Sequence, residues 1–108
     1  MKYIVILLLS ISLPVVANGN SHGGKVAHIA SVNEAILFSI VGNSESDRPA
    51  CATSTRFSVH EDSVHAPIVL TAFATGKQLG NARGLGTCSL WGNSEDVKWI
   101  EICPLNGC

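Results

Sequence analysis

The positions of apolar residues predict five β-strands. The clearest one spans residues 35–41 (AILFSIV), where Ile36, Phe38 and Ile40 share one face and Leu37 makes the other face partly apolar. This pattern is typical of a strand that is covered on both sides. The other predicted strands span residues 25–32, 56–60, 77–83 and 97–102. The strand at 56–60 is expected to begin near Cys51.

One helix is predicted between the third and fourth strands, over residues 64–75. Pro67 falls near its first turn, where a missing amide is tolerated, and Gly76 stands where a left-handed cap ends a helix. Glu61, Asp62 and Ser63 precede it and suit its positive end. Its apolar stripe consists of Ile68, Val69, Ala72 and Phe73, widened by Leu70 and Ala74. We therefore expect the helix to cover or plug a sheet.

The order of the elements indicates a mainly β fold. Three strands, a helix and two further strands are the arrangement of the OB-fold, a small and partly open Greek-key barrel. A tight hairpin is expected at Asn33 and Glu34, and an exposed loop at 42–50. In the third strand we expect Phe57 and Val59 to point inward and Ser58 outward. Another fold with one helix on a curled antiparallel sheet is the alternative.

Residues 1–17 have the organisation of an export signal. Lys2 precedes an apolar stretch, and Val15 and Ala17 occupy the small-residue positions before a cleavage site. The apolar run is too short to span a bilayer. We therefore expect cleavage between Ala17 and Asn18, a flexible amino terminus over 18–24, and a single domain over 25–108. The mature protein is expected in the periplasm or outside the cell, without a membrane span.

Composition and charge argue against a disordered chain and against a nucleic-acid-binding protein. The chain of 108 residues is 46% hydrophobic and 14% charged, which indicates a compact domain rather than a disordered tail. Its formal net charge is −1 at pH 7, and loss of Lys2 with the leader makes it more negative. A surface that tracks nucleic-acid phosphates is not expected.

Four cysteines in an exported chain predict two disulfides. Cys103 and Cys108 enclose Pro-Leu-Asn-Gly, a sequence that bends tightly, so this pair is the easiest to close. The remaining pair is Cys51 with Cys88. A zinc site is the alternative use of these cysteines, but the chain lacks closely spaced Cys/His pairs.

The segment 66–102 resembles small secreted domains related to the subtilase cytotoxin B subunit. The features in common are Cys51 in the third strand, a helix that ends in Ala-Thr-Gly-Lys at 74–77, a Gly-x-Cys at 86–88 and a closing strand. The resemblance implies an OB-fold and, for toxin-like members, a pentameric ring that binds cell-surface glycans and delivers a separate enzymatic subunit. The ring closed by Cys103 and Cys108 departs from the family pattern.

The candidate binding residues are Trp91, Asn93, Arg48 and Trp99. Trp91 lies in a Gly-flanked loop beside Cys88, where its ring could stack on a sugar or anchor a protein, or close the barrel end. Trp99 shares a strand face with Val97, and that face is either exposed and able to pair subunits or covered by the helix or the amino-terminal segment. Arg48 either reaches a carboxylate ligand or a partner, or is a solvated loop charge.

Catalysis and metal binding are not expected. His60, Glu61, Asp62 and His65 are ligand types for a transition metal, but capping and strand exposure explain their positions. No Gly-x-Ser-x-Gly elbow is present. The leading interpretation is a non-enzymatic module without cofactor that binds a glycan or a protein surface. A monomeric periplasmic inhibitor comes second, and a small secreted nuclease third.

Overall fold

The structure is a computed structural model that describes residues 18–42 and 45–107. The expected signal segment 1–17 and Cys108 lie outside the described residues. The described chain forms seven strands and one helix: β1 (Asn20–Ser21), β2 (Gly24–Val32), β3 (Ala35–Val41), β4 (Glu45–Ser46), β5 (Phe57–His60), α1 (His65–Thr75), β6 (Gln78–Gly84) and β7 (Glu95–Ile102).

Five of these strands form a ring. Their order is β2-β3-β5-β7-β6, and β6 returns to pair with β2. The β5–β7 pairing is parallel and the other pairings in the ring are antiparallel. The short strands β1 and β4 extend the sheet beyond β6. The protein is therefore mainly β with a barrel-like sheet compatible with the OB-fold, as the sequence predicts.

Two consecutive glycines allow the ring to close. Gly23 and Gly24 have φ angles of 102° and 125°, a region that side chains rarely adopt. A Cβ atom on Gly24 would lie 2.2 Å from the carbonyl oxygen of Val41. That contact lies within the β2–β3 pair, whereas a Cβ atom on Gly23 would lie 2.8 Å from the carbonyl oxygen of Leu79, so glycine there lets the backbones approach where β2 begins to pair with β6.

The core fills the ring beneath the helix. The rings of Phe38 and Phe57 stack with centroids 5.9 Å apart, and both side chains are fully buried. Leu79 and the helical Val69 are equally buried. Burial of these large apolar side chains stabilises the fold by about 2 kcal/mol each.

The helix departs from the predicted stripe. Ala66, Val69 and Ala72 face the barrel, whereas Leu70 and Phe73 are 45% and 49% exposed. The small alanine side chains let the helix lie close to the sheet, so the larger residues point outward. Ser63, rather than an acidic side chain, accepts a hydrogen bond at the helix start, from the amide of His65 at 3.2 Å. Gly76 ends the helix with a φ of 69°, as predicted.

The prediction that Ser58 points outward is wrong. This side chain is fully buried, and its hydroxyl lies 3.2 Å from Oδ1 of Asp96. Both faces of β5 are covered, because β7 brings a carboxylate that satisfies the hydroxyl. The alternation of apolar and polar residues in 56–60 therefore does not report which side of this strand meets water.

The disulfide between Cys51 and Cys88 is confirmed. It ties the segment before β5 to the loop before β7 across 37 positions. A bond closing a loop of this length stabilises the folded chain by roughly 4 kcal/mol. None of the cysteines in the described residues carries a free thiol, and the predicted partner of Cys103 lies outside those residues.

Candidate functional site

The outer face of β6 and β7 carries an exposed tryptophan. Trp99 lies directly opposite Arg83 in the antiparallel register, and a bulge follows because Gly84 pairs with Val97. Lys98 is the additional residue in β7, so it and Trp99 both face outward. The prediction that Val97 shares a face with Trp99 is wrong, because the bulge turns Val97 into the core, where it is 6% exposed.

Four residues surround a cleft on this face, which we call the Trp99 cleft. It encloses about 440 Å³, and its lining consists of Asn81, Arg83, Lys98 and Trp99. Trp99 is 55% exposed, a large apolar area for a residue in the middle of a strand. A tryptophan ring in this setting presents a flat apolar face to a ligand.

The side chains of the two cations of this cleft have no partners among the described residues. Within residues 18–42 and 45–107, neither the Arg83 guanidinium nor the Lys98 ammonium forms a hydrogen bond or an ion pair. The buried Oδ1 atom of Asn81 likewise has no hydrogen-bond partner in this part of the chain. The cleft therefore offers two positive charges to a ligand.

A second groove adjoins the Trp99 cleft, and we call it the amino-terminal groove. The two share Arg83 and Lys98, and the groove adds Asn18, Asn20 and Asp47 together with the backbone of Gly19 and Gly84. Its volume is about 220 Å³. The shared cations make the two depressions one continuous surface.

Arg48 lies inside the molecule rather than on a solvated loop. Its guanidinium sits 4.0 Å above the Phe57 ring, and its Nη2 donates to the carbonyl oxygen of Arg56 at 2.8 Å. Its Nε lies 3.1 Å from Oε1 of Glu95, which is fully buried. It also contacts Glu45 at 3.2 Å. These contacts make Arg48 a structural residue that fixes the segment after β4.

Glu95 fastens the amino-terminal segment to the barrel. Its Oε2 accepts hydrogen bonds from the amides of Gly19 and Gly86, at 2.8 and 2.9 Å. A Cβ atom on Gly19 or Gly84 would lie 2.0 Å from this carboxyl group. Glycine at these two positions therefore makes room for a buried carboxylate. The segment 18–24, expected as a flexible terminus, carries β1 and buries Gly19, Ser21 and Gly23.

Asp96 organises the loop before β7. Its carboxylate accepts hydrogen bonds from the Thr87 hydroxyl at 2.7 Å, from the Ser89 hydroxyl and amide at 2.6 and 2.9 Å, and from the Leu90 amide at 3.2 Å. Burial raises the pKa of Asp96, but these hydrogen bonds outweigh it and hold the pKa below its ordinary value. The anion therefore fixes the loop on both sides of Cys88.

Trp91 and Asn93 belong to the turn that immediately precedes β7. Trp91 is bridged to Ser94, and both Trp91 and Asn93 are half-buried. The carbonyl oxygen of Asn93 accepts hydrogen bonds from the amide and hydroxyl of Ser54, at 3.1 and 2.8 Å. Trp99 lies five positions beyond Ser94 along the strand, or about 16 Å away. The predicted binding residues therefore lie in three separate places.

The histidines near the helix do not assemble a ligand set. His60 contacts Glu34 at 3.2 Å, and its Nδ1 accepts the amide of Asp62 at 3.1 Å. His65 lines a cleft of about 260 Å³ with His60, Leu85, Leu90 and other residues. Within the described ranges, no group of three or more His, Cys, Asp or Glu side chains is placed to hold a metal ion.

Sequence reasoning missed Arg83, Lys98 and Asn81. Their importance depends on the bulge, which carries Lys98 and Trp99 to the same surface and sets Arg83 opposite the ring. The glycines at 80, 84 and 86, which the sequence does interpret as sites of bulges, were the available signal.

Comparison of the chain with protein-family models, curated proteins and solved structures gives no match. The resemblance to the subtilase cytotoxin B subunit family therefore stays a prediction. Over the residues that the structure describes, no helix is long and apolar enough to cross a membrane.

Proposed function

We propose that this protein is an exported, non-enzymatic binding module that recognises a glycan bearing an acidic group. The observation that carries the proposal is the Trp99 cleft, where a half-exposed indole stands beside two cations that have no partner among the described residues. The ligand would bind outside the cell or in the periplasm, in keeping with the signal-like segment 1–17 and the Cys51–Cys88 disulfide.

The chemistry of the cleft suits a charged sugar. The indole face of Trp99 stacks on the C–H face of a pyranose ring, which is apolar and flat. Arg83 pairs with a carboxylate or sulfate in a forked geometry, and Lys98 adds a second charge. Each group therefore has a counterpart on one small ligand.

The positions of the acidic and basic side chains favour binding over catalysis. Glu95 and Asp96 both hold backbone segments in place through several hydrogen bonds. Both ring nitrogens of His60 are engaged with Glu34 and Asp62. These groups act as anchors of loops, so they are poorly placed to exchange protons with a substrate.

The proposal extends to a ring of five copies, as the resemblance implies. The outer face of α1 presents Leu70 and Phe73, and Val64 just before the helix is 77% exposed. A second copy of the chain would cover this apolar surface. Several copies of one weak glycan site in a ring would raise the overall affinity by avidity.

Replacement of each tryptophan by alanine tests the position of the site. We would measure binding of sialyllactose, of a glucuronate-containing disaccharide and of neutral lactose by calorimetry to the oxidised chain 18–108, to Trp99→Ala and to Trp91→Ala. We expect the acidic sugars to bind, Trp99→Ala to weaken binding at least tenfold, and Trp91→Ala to leave it within twofold. A tenfold change in affinity corresponds to about 1.4 kcal/mol of binding free energy.

Three results would count against the proposal. Loss of binding in Trp91→Ala alone would move the site to the turn at 91–94. Equal affinity for lactose and sialyllactose would remove the role of Arg83 and Lys98. Failure of every sugar would favour the second candidate, a monomeric inhibitor or protein-interaction domain, for which the apolar Leu105, 96% exposed on a turn closed by Gly107 and Pro104, provides an anchor.

A further inference from the structure

A row of side chains crosses four strands on the outer face of the sheet. Trp99 of β7 lies opposite Arg83 of β6, and Arg83 lies opposite Asn20 of β1. Asn20 in turn lies opposite Ser46 of β4. Directly opposed residues of antiparallel strands project their side chains from the same face, about 5 Å apart. The row therefore extends about 15 Å from the indole to Ser46, across the Trp99 cleft and then the amino-terminal groove.

Positive and negative charges lie at different points of this row. Arg83 and Lys98 stand beside Trp99, whereas Asp47 follows Ser46 at the far end of the groove. In the part of the chain that the structure describes, the Asp47 carboxylate forms no hydrogen bond or ion pair. Strand β1 lies between β4 and β6, so it keeps their backbones about 10 Å apart. The groove thus presents a positive end and a negative end to a ligand.

Asp47 is held in a fixed position at the groove wall. Its φ of 58° lies in the left-handed region, which Asp and Asn adopt more readily than most side chains do. Ser46 before it pairs with β1, and Arg48 after it is bound to the buried Glu95. The Asp47 carboxylate is therefore a wall of the groove and not a mobile loop charge.

A second carboxylate borders the other side of the cations. Glu101 lies two positions beyond Trp99 on the same face of β7, about 7 Å along the strand. It is exposed and lies opposite Asn81, which lines the Trp99 cleft. The two cations are thus followed by a carboxylate in each direction, so the surface is complementary to a single anion and not to a row of them.

We propose that this row selects a glycan whose acidic residue is joined to a neutral sugar, and that Asp47 rejects a second anion. The acidic residue lies on Trp99 between Arg83 and Lys98, and its neighbour lies along Asn20 toward Asp47. A neutral sugar there donates a hydroxyl to the carboxylate, whereas an anionic sugar meets a like charge. Polyanionic chains are therefore not ligands. This inference rests on the proposed function.

Two probes that differ only in the second residue test the selection. Sialyllactose places a neutral galactose after its sialic acid, and α2,8-linked disialic acid places a second carboxylate there. We would measure both by calorimetry at low salt, where charges are least screened, with the oxidised chain 18–108, Asp47→Asn and Asp62→Asn. Asparagine has the shape of aspartate and tolerates the positive φ, so we expect Asp47→Asn to keep the fold.

We expect the wild type to bind sialyllactose about tenfold more tightly than disialic acid. In Asp47→Asn the first sugar should bind about threefold more weakly and the second about threefold more tightly, so the preference nearly disappears. Asp62 is exposed and lines neither depression, so Asp62→Asn removes the same charge elsewhere. We expect that variant to keep the tenfold preference.

The outcomes separate the inference from the proposed function. Equal affinity of the wild type for the two sugars, or a preference that Asp47→Asn leaves intact, would overturn the inference. The proposed function would still stand if Trp99→Ala abolished sialyllactose binding. Failure of the wild type to bind either sugar would overturn both.

Nuclear magnetic resonance tests the position of the neutral sugar. Methyl α-sialoside contains the acidic residue alone, whereas sialyllactose adds the neighbour. We expect both to shift the indole N–H of Trp99, and only sialyllactose to shift the amides of Asn20 and Ser46. The same set of shifted signals for the two probes would contradict a second sugar in the amino-terminal groove.

Discussion

Two adjacent carboxylates at the start of β7 anchor different segments of the chain to the barrel. Consecutive side chains of a strand point to opposite faces, so Glu95 and Asp96 at the start of β7 serve different segments. Glu95 holds the amino-terminal segment and Arg48, while Asp96 holds the loop around Cys88. The segments that border the amino-terminal groove and the disulfide thus depend on buried charge rather than on apolar packing.

The Asp96 anchor predicts a dependence of stability on pH. Since its pKa is lowered in the folded state, Asp96 stabilises the fold fully above its unfolded pKa of about 3.9 and loses that contribution as the pH falls through the folded value. We expect Asp96→Asn to lower the free energy of unfolding by about 1–3 kcal/mol at pH 7 and by less at pH 2. Urea unfolding at both pH values measures this.

Asp62→Asn is the control for that comparison. Asp62 is exposed, and its backbone amide, not its carboxylate, makes the contact with His60. We expect the Asp62→Asn chain to unfold like the wild type at each pH. An Asp96→Asn deficit of the same size at pH 2 and pH 7 would mean that the side-chain shape, and not the charge, holds the loop.

Single residues were predicted well where one face of a strand meets water and poorly elsewhere. Alternation correctly buries Phe57 and Val59, but it misplaces Ser58, whose hydroxyl is satisfied by a residue 38 positions away. It also misplaces Val97, because a bulge shifts the alternation by one residue. Partners distant in sequence decide both positions, so no local pattern can report them.

The elements themselves follow closely from the sequence. The predicted strands at 25–32, 35–41, 56–60, 77–83 and 97–102 and the helix at 64–75 all exist. Their ends are displaced by at most two residues, except that the third strand begins at Phe57 and not near Cys51 as predicted. The strands β1 and β4 were not predicted, because each has two residues and owes its place to pairing with the other and to the anchors of Glu95 and Arg48. A strand or helix with a strong internal periodicity can be predicted from its own residues. The two-residue strands β1 and β4 cannot, because distant residues determine them.

The close contact between the start of β2 and the end of β3 predicts a sharp difference between two glycines. Gly24→Ala would force a Cβ atom against the Val41 carbonyl at a φ of 125°, so we expect it to lower the free energy of unfolding by about 3 kcal/mol or more. Gly92→Ala meets no atom within 4 Å and has an ordinary φ angle. We expect it to be neutral within about 0.5 kcal/mol. Urea unfolding of both variants at pH 7 measures the difference.

A similar loss for Gly92→Ala would mean that the turn before β7 limits stability as much as the start of β2 does. A Gly24→Ala chain that unfolds like the wild type would show that the start of β2 does not need its close approach to the Val41 carbonyl of β3.

At the scale of the whole molecule, the outer face of α1 predicts assembly. We expect light scattering after size exclusion to give the oxidised chain 18–108 a mass five times that of one chain. The double variant Leu70→Ser/Phe73→Ser should run as one chain with a nearly unchanged melting temperature, because both side chains are about half exposed before assembly. A monomeric wild type would remove the avidity from the proposed function while leaving the Trp99 cleft to be tested.

The hydrogen bond between Gly19 and Glu95 joins positions 76 residues apart, near the two ends of the domain. Folding in such a topology has to close its longest loop late, and proteins with many distant contacts fold in milliseconds to seconds rather than microseconds. The first strands of the barrel therefore wait for the last strand before the ring is complete. A product that stops before residue 95 keeps the edge of β6 unpaired with β7, so incomplete synthesis or early proteolysis would yield aggregating fragments and not smaller working domains.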